Sequence, residues 1–471
     1  VHFELASDFE LPQSDLFSYH AKPGALDRLI PPWENVTISQ RPRSIEAGVE
    51  VLLRQRLGFF SLPWLARHTE YDPPHSFKDI QVYGPFKKWE HQHRFEELDC
   101  NRSKLTDSVD YSLKVVDRLP YTGCLGPAAH RWIQAKLTAM FRYRHRVTAQ
   151  DLSFHRQLRT IVGTAPIRIA VSGSGGMIGR RLCALATVLG IEVVRILRPE
   201  SKLSESELPL DSVILHPSHG FDHPERLVGV RSVVQLGGVG IASGRWNLRT
   251  KEKIFRSRVD GTKNLITHLL GLATPPERFV CASGIGFYGS RGEFCRDESS
   301  PKGEGFLSDV TKAWEESASQ YQNESRRVAI GRLAMVLHPR EGALAKQLPL
   351  FRMGLGGRVG DGKQYWSWIH VDDAATALIW LSLHPGISGH YNLASPNPVT
   401  NFEFTKTLAR VLHRPAFLPA PAFALRTALG EMADELLLAS TRTTPDKLVQ
   451  TGFQFRAPTL SNALEQLLGK G

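Results

Sequence analysis

Gly173, Gly176 and Gly179 recur at three-residue intervals in VSGSGGMIGRR (171–181). The run is entered by the apolar stretch IRIAVSG (167–173) and left by MIGRRLCALATVLG (177–190), amphipathic at helical spacing. Glycines in that setting form a phosphate-binding turn. The first permits the tight turn, the second lets backbone approach a pyrophosphate, and the third lets the helix lie close on the sheet. The helix aims its free amides and positive dipole end at the phosphates. Ser174, Met177 and Ile178 share this turn and are assigned with the glycines to a dinucleotide.

The next strand, IEVVRILRP (191–199), ends in Arg198. An acidic residue there binds the ribose hydroxyls of NAD(H), whereas a guanidinium can pair bidentately with a 2′-phosphate. Arg198, with help from Arg180 or Arg181, therefore predicts NADP(H), the alternative being a surface residue past a strand end. A later strand, RSVVQLGGVG (231–240), ends in a glycine-rich turn whose Leu236, Gly237 and Gly238 flank the cofactor. Arg258, on the helix read over 245–271, is placed in the same site.

Other polar residues are weaker signals. His91 and His93 alternate on one face of a predicted strand, a spacing that could hold a metal. No third ligand is suggested nearby, so they are read as solvated or cavity-lining and no metal site is expected. His370, Asp372 and Asp373 lie in WSWIHVDDAATALIWLSL (366–383). Either aspartate is expected to cap the helix that follows, with Trp366 and Trp368 lining a substrate cleft. Arg352 and Arg358 flank a glycine-rich loop and suit either an anionic substrate or the surface.

The 471-residue chain has room for two or three domains. With 42% hydrophobic and 22% charged residues it has a soluble globular composition. No apolar stretch approaches the ~18 residues of a membrane span. The start, VHFELASDFELP, lacks the basic and apolar segments of a secretory signal. Five scattered cysteines without a C-x-x-C pair predict reduced thiols and a cytoplasmic location, with Cys183 and Cys281 in the core. The net charge of +11 is spread along the chain. With no recognised module or basic block, it does not predict a nucleic-acid partner.

From Ile167 onward strands and helices alternate, as a doubly wound parallel sheet requires. Before it, β-rich runs at 3–11, 48–57, 68–84, 89–98 and 104–115 precede one or two helices over 127–158. A curved antiparallel sheet gripping a long helix fits that order and leaves an apolar cavity for a hydrophobic ligand. The predicted division is a ligand-binding α+β domain over 1–155, a nucleotide-binding Rossmann domain over 166–395 and a helical lobe over 396–471 that closes the substrate cleft. Gly163 and Pro166 mark the first boundary.

LPQSDLFSYHAKPGALDRLIPPWENV (11–36) and YGPFKKWEHQHRFEEL (83–98) resemble the START-like, polyketide-cyclase-like helix-grip superfamily. VVQLGGVGIASGRW (233–246), SRVDGTKNL (257–265) and the long segment 391–455 resemble the epimerase family of extended short-chain dehydrogenases/reductases. That resemblance covers about 166–468, and it implies an NADP(H)-dependent oxidoreductase or epimerase acting on a small-molecule substrate.

Such enzymes use a Tyr-x-x-x-Lys pair, in which the lysine lowers the tyrosine pKa for proton exchange while nicotinamide carries hydride. The only such spacing here is Tyr83 with Lys87, ahead of the nucleotide fold. In FLSDVTKAWEESA (306–318) the resemblance puts Leu307 where the tyrosine belongs and Thr311 where the lysine belongs. Lys312 lies one residue on, ~100° around the helix. Ser283 and Tyr288, where the strand in RFVCASGIGFYG (278–289) enters a loop, remain as catalytic candidates, Tyr288 with packing as its other reading. A cofactor-binding sensor without turnover is the competing function.

Overall fold

Alternation in the first part of the chain produces long antiparallel strands. The computed structural model describes residues 1–57, 60–113, 125–201, 208, 210–242 and 244–470; Cys124 lies outside them. Seven strands form one sheet in the spatial order His2–Phe9, Arg102–Leu113, Phe86–Asp99, Ser76–Tyr83, Phe60–Asp72, Glu50–Leu57, Val36–Gln40. Every neighbouring pair is antiparallel. The sheet packs against the helix Leu125–Val162.

Period-two alternation turns Trp89, His91, His93 and Phe95 to the interior from one strand, and Leu105, Asp107, Val109 and Tyr111 from its neighbour. The helix answers with Leu137, Phe141 and His145, four residues apart and so on one face. The space expected to be an apolar cavity therefore has apolar ends and a polar middle. Phe3, Trp89 and Phe141 fill one end; Phe9, Phe17, Phe77 and Phe95 fill the other.

The second sheet has eight strands in the order Gly220–Phe221, Asp211–His216, Ile191–Leu197, Ile167–Ser172, Ser232–Gln235, Arg278–Gly284, Arg327–Leu333, Gly389–Leu393. All but the short first strand are parallel. The order reverses direction between Ile167–Ser172 and Ser232–Gln235, which opens a crevice at their carboxyl ends. Cys183 and Cys281 are buried free thiols beneath it.

The helix over 127–158 extends to Val162 and stops at the break marked by Gly163 and Pro166. It is one unbroken helix of 38 residues, ~57 Å long. Leu152, Phe154 and Leu158 near its end join the same apolar core as Ile169, Leu182 and Trp380 of the nucleotide-binding part. Local sequence signals mark where a helix stops, and here Gly163, at φ +73°, ends it only after it has crossed both sheets' territory.

Charges seal the same junction. Arg28 is wholly buried and reaches Asp151 at 2.7 and 2.8 Å and Asp372 at 2.5 Å. Arg181 grips Asp372 with two bonds of 2.9 Å, and Arg456 adds a contact to Asp151. This cluster joins the front domain, the long helix, the glycine-turn helix and the C-terminal lobe. It corrects two expectations. Arg181 is turned away from the nucleotide crevice, and Asp372 does not cap its helix. His370 is the cap, its Nδ1 accepting from the Asp372 amide at 3.1 Å. Asp373 instead accepts the amides of Arg456 and Ala457.

Candidate functional site

The glycine turn lies at the crevice where the strand order reverses. Gly173 has φ +74°, a conformation that favours glycine, and a Cβ there would lie 2.8 Å from the Gly237 nitrogen. The turn and the Leu236–Gly238 loop thus meet backbone to backbone. A Cβ on Gly179 would fall 2.3 Å from the Gly173 carbonyl oxygen, so the helix sits as close to the turn as its backbone allows. Helix Met177–Val188 starts at Gly176 with no side-chain cap and no acidic residue in its first turn. Its leading amides are left for an anionic partner. Ser174 is buried in the turn, while Met177 and Ile178 pack into two different apolar clusters.

Two arginines border this cradle. Arg198 is exposed just past the end of strand Ile191–Leu197, adjacent to the glycine strand. Arg258 is half-buried, its guanidinium 3.2 Å from where a Gly238 Cβ would stand. It stacks over Trp314 at 5.2 Å and donates to the Val239 and Ile254 carbonyls. Burial pulls its pKa down to about 10, leaving it charged at neutral pH. Trp314 is held by Gln235 and Thr262, a support that sequence spacing did not reveal. Arg180 stays at the turn, bonded to the Gly175 carbonyl and to Glu341.

Below the crevice, Ser283 donates to Glu315 at 2.8 Å. Glu315 takes a bidentate bond from Arg332 at 2.9 and 2.7 Å. Arg332 also donates to the Tyr288 hydroxyl, which donates to Asn392 at 2.8 Å. All five side chains are buried. Burial pushes the Tyr288 pKa up to about 12, with Arg332 acting against it. Glu315 goes the other way: burial would raise it, but its bonds to Arg332 and His390 bring it below the usual value. Both catalytic candidates are therefore brought into one closed network. Glu315, Arg332 and Asn392 were missed because they lie on three other elements.

The helix Phe306–Ser319 carries buried Leu307 and Thr311 on its inner face. Thr311 bonds back to the Leu307 and Ser308 carbonyls. Lys312 points outward to Glu316. The helix start is held by the lobe, since Glu435 accepts the Phe306 and Leu307 amides at 3.0 and 3.3 Å. Trp366 and Trp368, expected in a cleft, are buried instead in the core of that lobe with Phe404 and Leu408. Arg352 and Arg358 are both exposed.

Fold and crevice define a doubly wound, dinucleotide-type α/β protein with a helix-grip domain at its front. The chain belongs to the NAD-dependent epimerase/dehydratase family, whose description matches residues 169–394. A polyketide cyclase/dehydrase and lipid transport family matches residues 9–141, and a domain family of unknown function matches 420–467. An epimerase family protein of Mycobacterium bovis is 38% identical over 300 residues, covering 63% of this chain and 96% of that protein. A solved structure described as a nucleoside-diphosphate sugar epimerase from Corynebacterium glutamicum is 29% identical, with a TM-score of 0.78, and covers 99% of this chain and 90% of that one. Human epimerase family protein SDR39U1, solved with NADPH, is 27% identical with a TM-score of 0.58, over 64% of this chain and 99% of that one. Among the described residues no helix is long and apolar enough to cross a membrane.

Proposed function

We propose that this chain binds NADP(H) across the crevice between Ile167–Ser172 and Ser232–Gln235. The observation that carries it is the cradle itself: two glycine loops in backbone contact, beside a helix start that no side chain caps. Gly173, Ser174, Gly176, Met177, Ile178 and Gly179 would surround the pyrophosphate. Leu236, Gly237 and Gly238 would face it from the neighbouring strand. Arg198 and Arg258 supply the cations, Arg198 at the position suited to a 2′-phosphate. Bound there, the nicotinamide would supply hydride exchange with a small-molecule substrate. The NADPH in the human relative supports the same cofactor.

The test is direct titration with NADPH and NADH, followed by nicotinamide fluorescence. Arg198→Asp should weaken NADPH by about tenfold or more, ~1.4 kcal/mol, and leave NADH nearly unchanged. Equal losses for both nucleotides would remove Arg198 from the 2′-phosphate site.

For the reaction, we propose that Ser283 and Tyr288 are positioning residues for the loop after strand Arg278–Gly284. A phenol at about 12, closed in by Arg332 and Asn392, is poorly matched to proton exchange near neutral pH. Tyr288→Phe should therefore lower stability by about 1 kcal/mol through the lost hydroxyl bonds and leave NADPH binding within a few-fold. A turnover assay over a panel of carbonyl compounds provides the contrast. Complete loss of an activity present in the wild type, with the fold intact, would return Tyr288 to a catalytic role.

Leu307 and Thr311 favour a second reading, an NADP(H)-dependent sensor without turnover. Binding of NADPH with no oxidation of it by any carbonyl class would support that reading. The front domain would contribute an apolar or amphipathic small-molecule ligand in either case, in keeping with the lipid-transport family it matches.

A further inference from the structure

The polar middle of the front domain is unlike the rest of its interior. Asp79 lies directly across from His91 in the register of strands Ser76–Tyr83 and Phe86–Asp99. His93 lies across from Asp107 on the next strand. Asp79, His91 and His93 each present one donor atom, and the three atoms lie within 4.8 Å of one another. His91 Nδ1 is 3.1 Å from Asp79, and its Nε2 is 3.1 Å from Asp107. Asp107 also receives His145 of the long helix at 2.6 Å, and His145 bonds Ser7 through its other nitrogen.

Hydrogen bonding leaves this cluster incomplete. His93 is 7% exposed, and its Nδ1 lies 2.5 Å from Asp107 yet off the axis a hydrogen bond needs, so it is buried without a bonded partner. His68, the register partner of Asp79, has a second buried Nδ1 in the same condition. Phe77 stacks on His93 at 4.0 Å and excludes water from one face. A buried nitrogen lone pair or N–H left unmade is costly, and a set of imidazoles and carboxylates aimed at one point is the arrangement that a cation satisfies.

We propose that Asp79, His91 and His93 bind one divalent first-row transition cation, with Asp107 and His145 as its outer partners. Two imidazoles and one carboxylate suit Zn²⁺, Fe²⁺ or Co²⁺, whereas Mg²⁺ and Ca²⁺ require a shell of oxygens. Asp107 accepting from His91 is the outer carboxylate that fixes a ligating imidazole's orientation. Three protein ligands leave coordination positions for water or for an oxygen-bearing ligand held between sheet and helix. This site is independent of the nucleotide crevice and of its assignment.

The full-length protein, stripped with a chelator, would be titrated with Zn²⁺ by calorimetry and with Co²⁺ by visible absorption. The wild type should take up about one equivalent of either cation. His91→Gln with His93→Gln should weaken Zn²⁺ by at least about 100-fold. His216→Ala with His219→Ala, which removes the stacked histidine pair of the second domain, should change nothing. Absence of uptake by the wild type overturns the proposal, as does wild-type affinity in the glutamine variant or loss confined to the alanine variant. Should the glutamine variant fail to fold, X-ray absorption on the zinc-loaded wild type decides. Outer-shell scattering from two imidazoles is expected, and its absence rules the site out.

Discussion

Asp372→Ala is expected to destabilise the folded chain by about 3–5 kcal/mol, because it strands the Arg181 guanidinium in a dry interface and takes one of two carboxylates from Arg28. Arg28 is wholly buried, and Arg181 is nearly so. Arg28 keeps Asp151, but Arg181 keeps only the Asp27 carbonyl and the Tyr143 hydroxyl. Urea unfolding followed by tryptophan fluorescence measures the loss; a change below about 1 kcal/mol would mean that water reaches the cluster. The acid side of the stability profile should change as well. Burial alone would raise the Asp372 pKa, but Arg181 and Arg28 hold it well below its ordinary 3.8. Its stabilisation is thus full above that value and is lost as pH falls through the depressed one. Asp373 has the opposite sign. Burial pushes it up to about 6, so its contribution is present in acid and is lost as pH rises through that value. Removing Asp372 takes away one acid-side slope while those of Asp151, Asp107 and Glu315 remain, and the variant should lose stability less steeply than the wild type in acid.

Gly179→Ala is expected to weaken NADPH binding by at least about 100-fold, ~2.7 kcal/mol. Its new Cβ would stand 2.3 Å from the Gly173 carbonyl oxygen and 2.7 Å from the Ser174 Cα, both backbone atoms that no rotamer can move aside. The helix must back away, and its amides leave the phosphates. Fluorescence titration reads the affinity, and far-UV circular dichroism separates a displaced helix from an unfolded one. Wild-type affinity in a folded variant would mean that the nucleotide does not depend on this turn.

The glycine turn was legible because everything it needs is local: a strand, three glycines and a helix within about 25 residues. The alternation of the front strands was legible for the same reason. Their pairing was not, and so Asp79 and Asp107 could not be set beside His91 and His93. Only the register brings them together, and two histidines then have the carboxylates they lacked in sequence. Asp372 was misjudged by a sound local rule. An aspartate at a helix start is normally a cap, but its guanidinium partners lie 344 and 191 residues away. Arg180 and Arg181 are adjacent in sequence and ~100° apart on the helix, so only tertiary contacts could show that Arg180 stays at the glycine turn while Arg181 turns to Asp372.

The helix Leu125–Val162 has a consequence for how this chain can be divided. The Mycobacterium bovis relative aligns along nearly its whole length to 63% of the chain, the part that holds the nucleotide fold. Cutting this protein down to that part would not reproduce such a relative. It would strip the cover from Leu182, Leu185, Ala377 and Trp380, which here share a core with Leu152, Phe154 and Leu158. Arg181 would keep Asp372 but lose Tyr143 and the Asp27 carbonyl, and Arg456 would lose Asp151. The excised fragment would carry a broad greasy flank, prone to self-association, on the very helix that begins at the glycine turn. On that flank the nucleotide-binding half is thus clothed by the front domain rather than by its own chain.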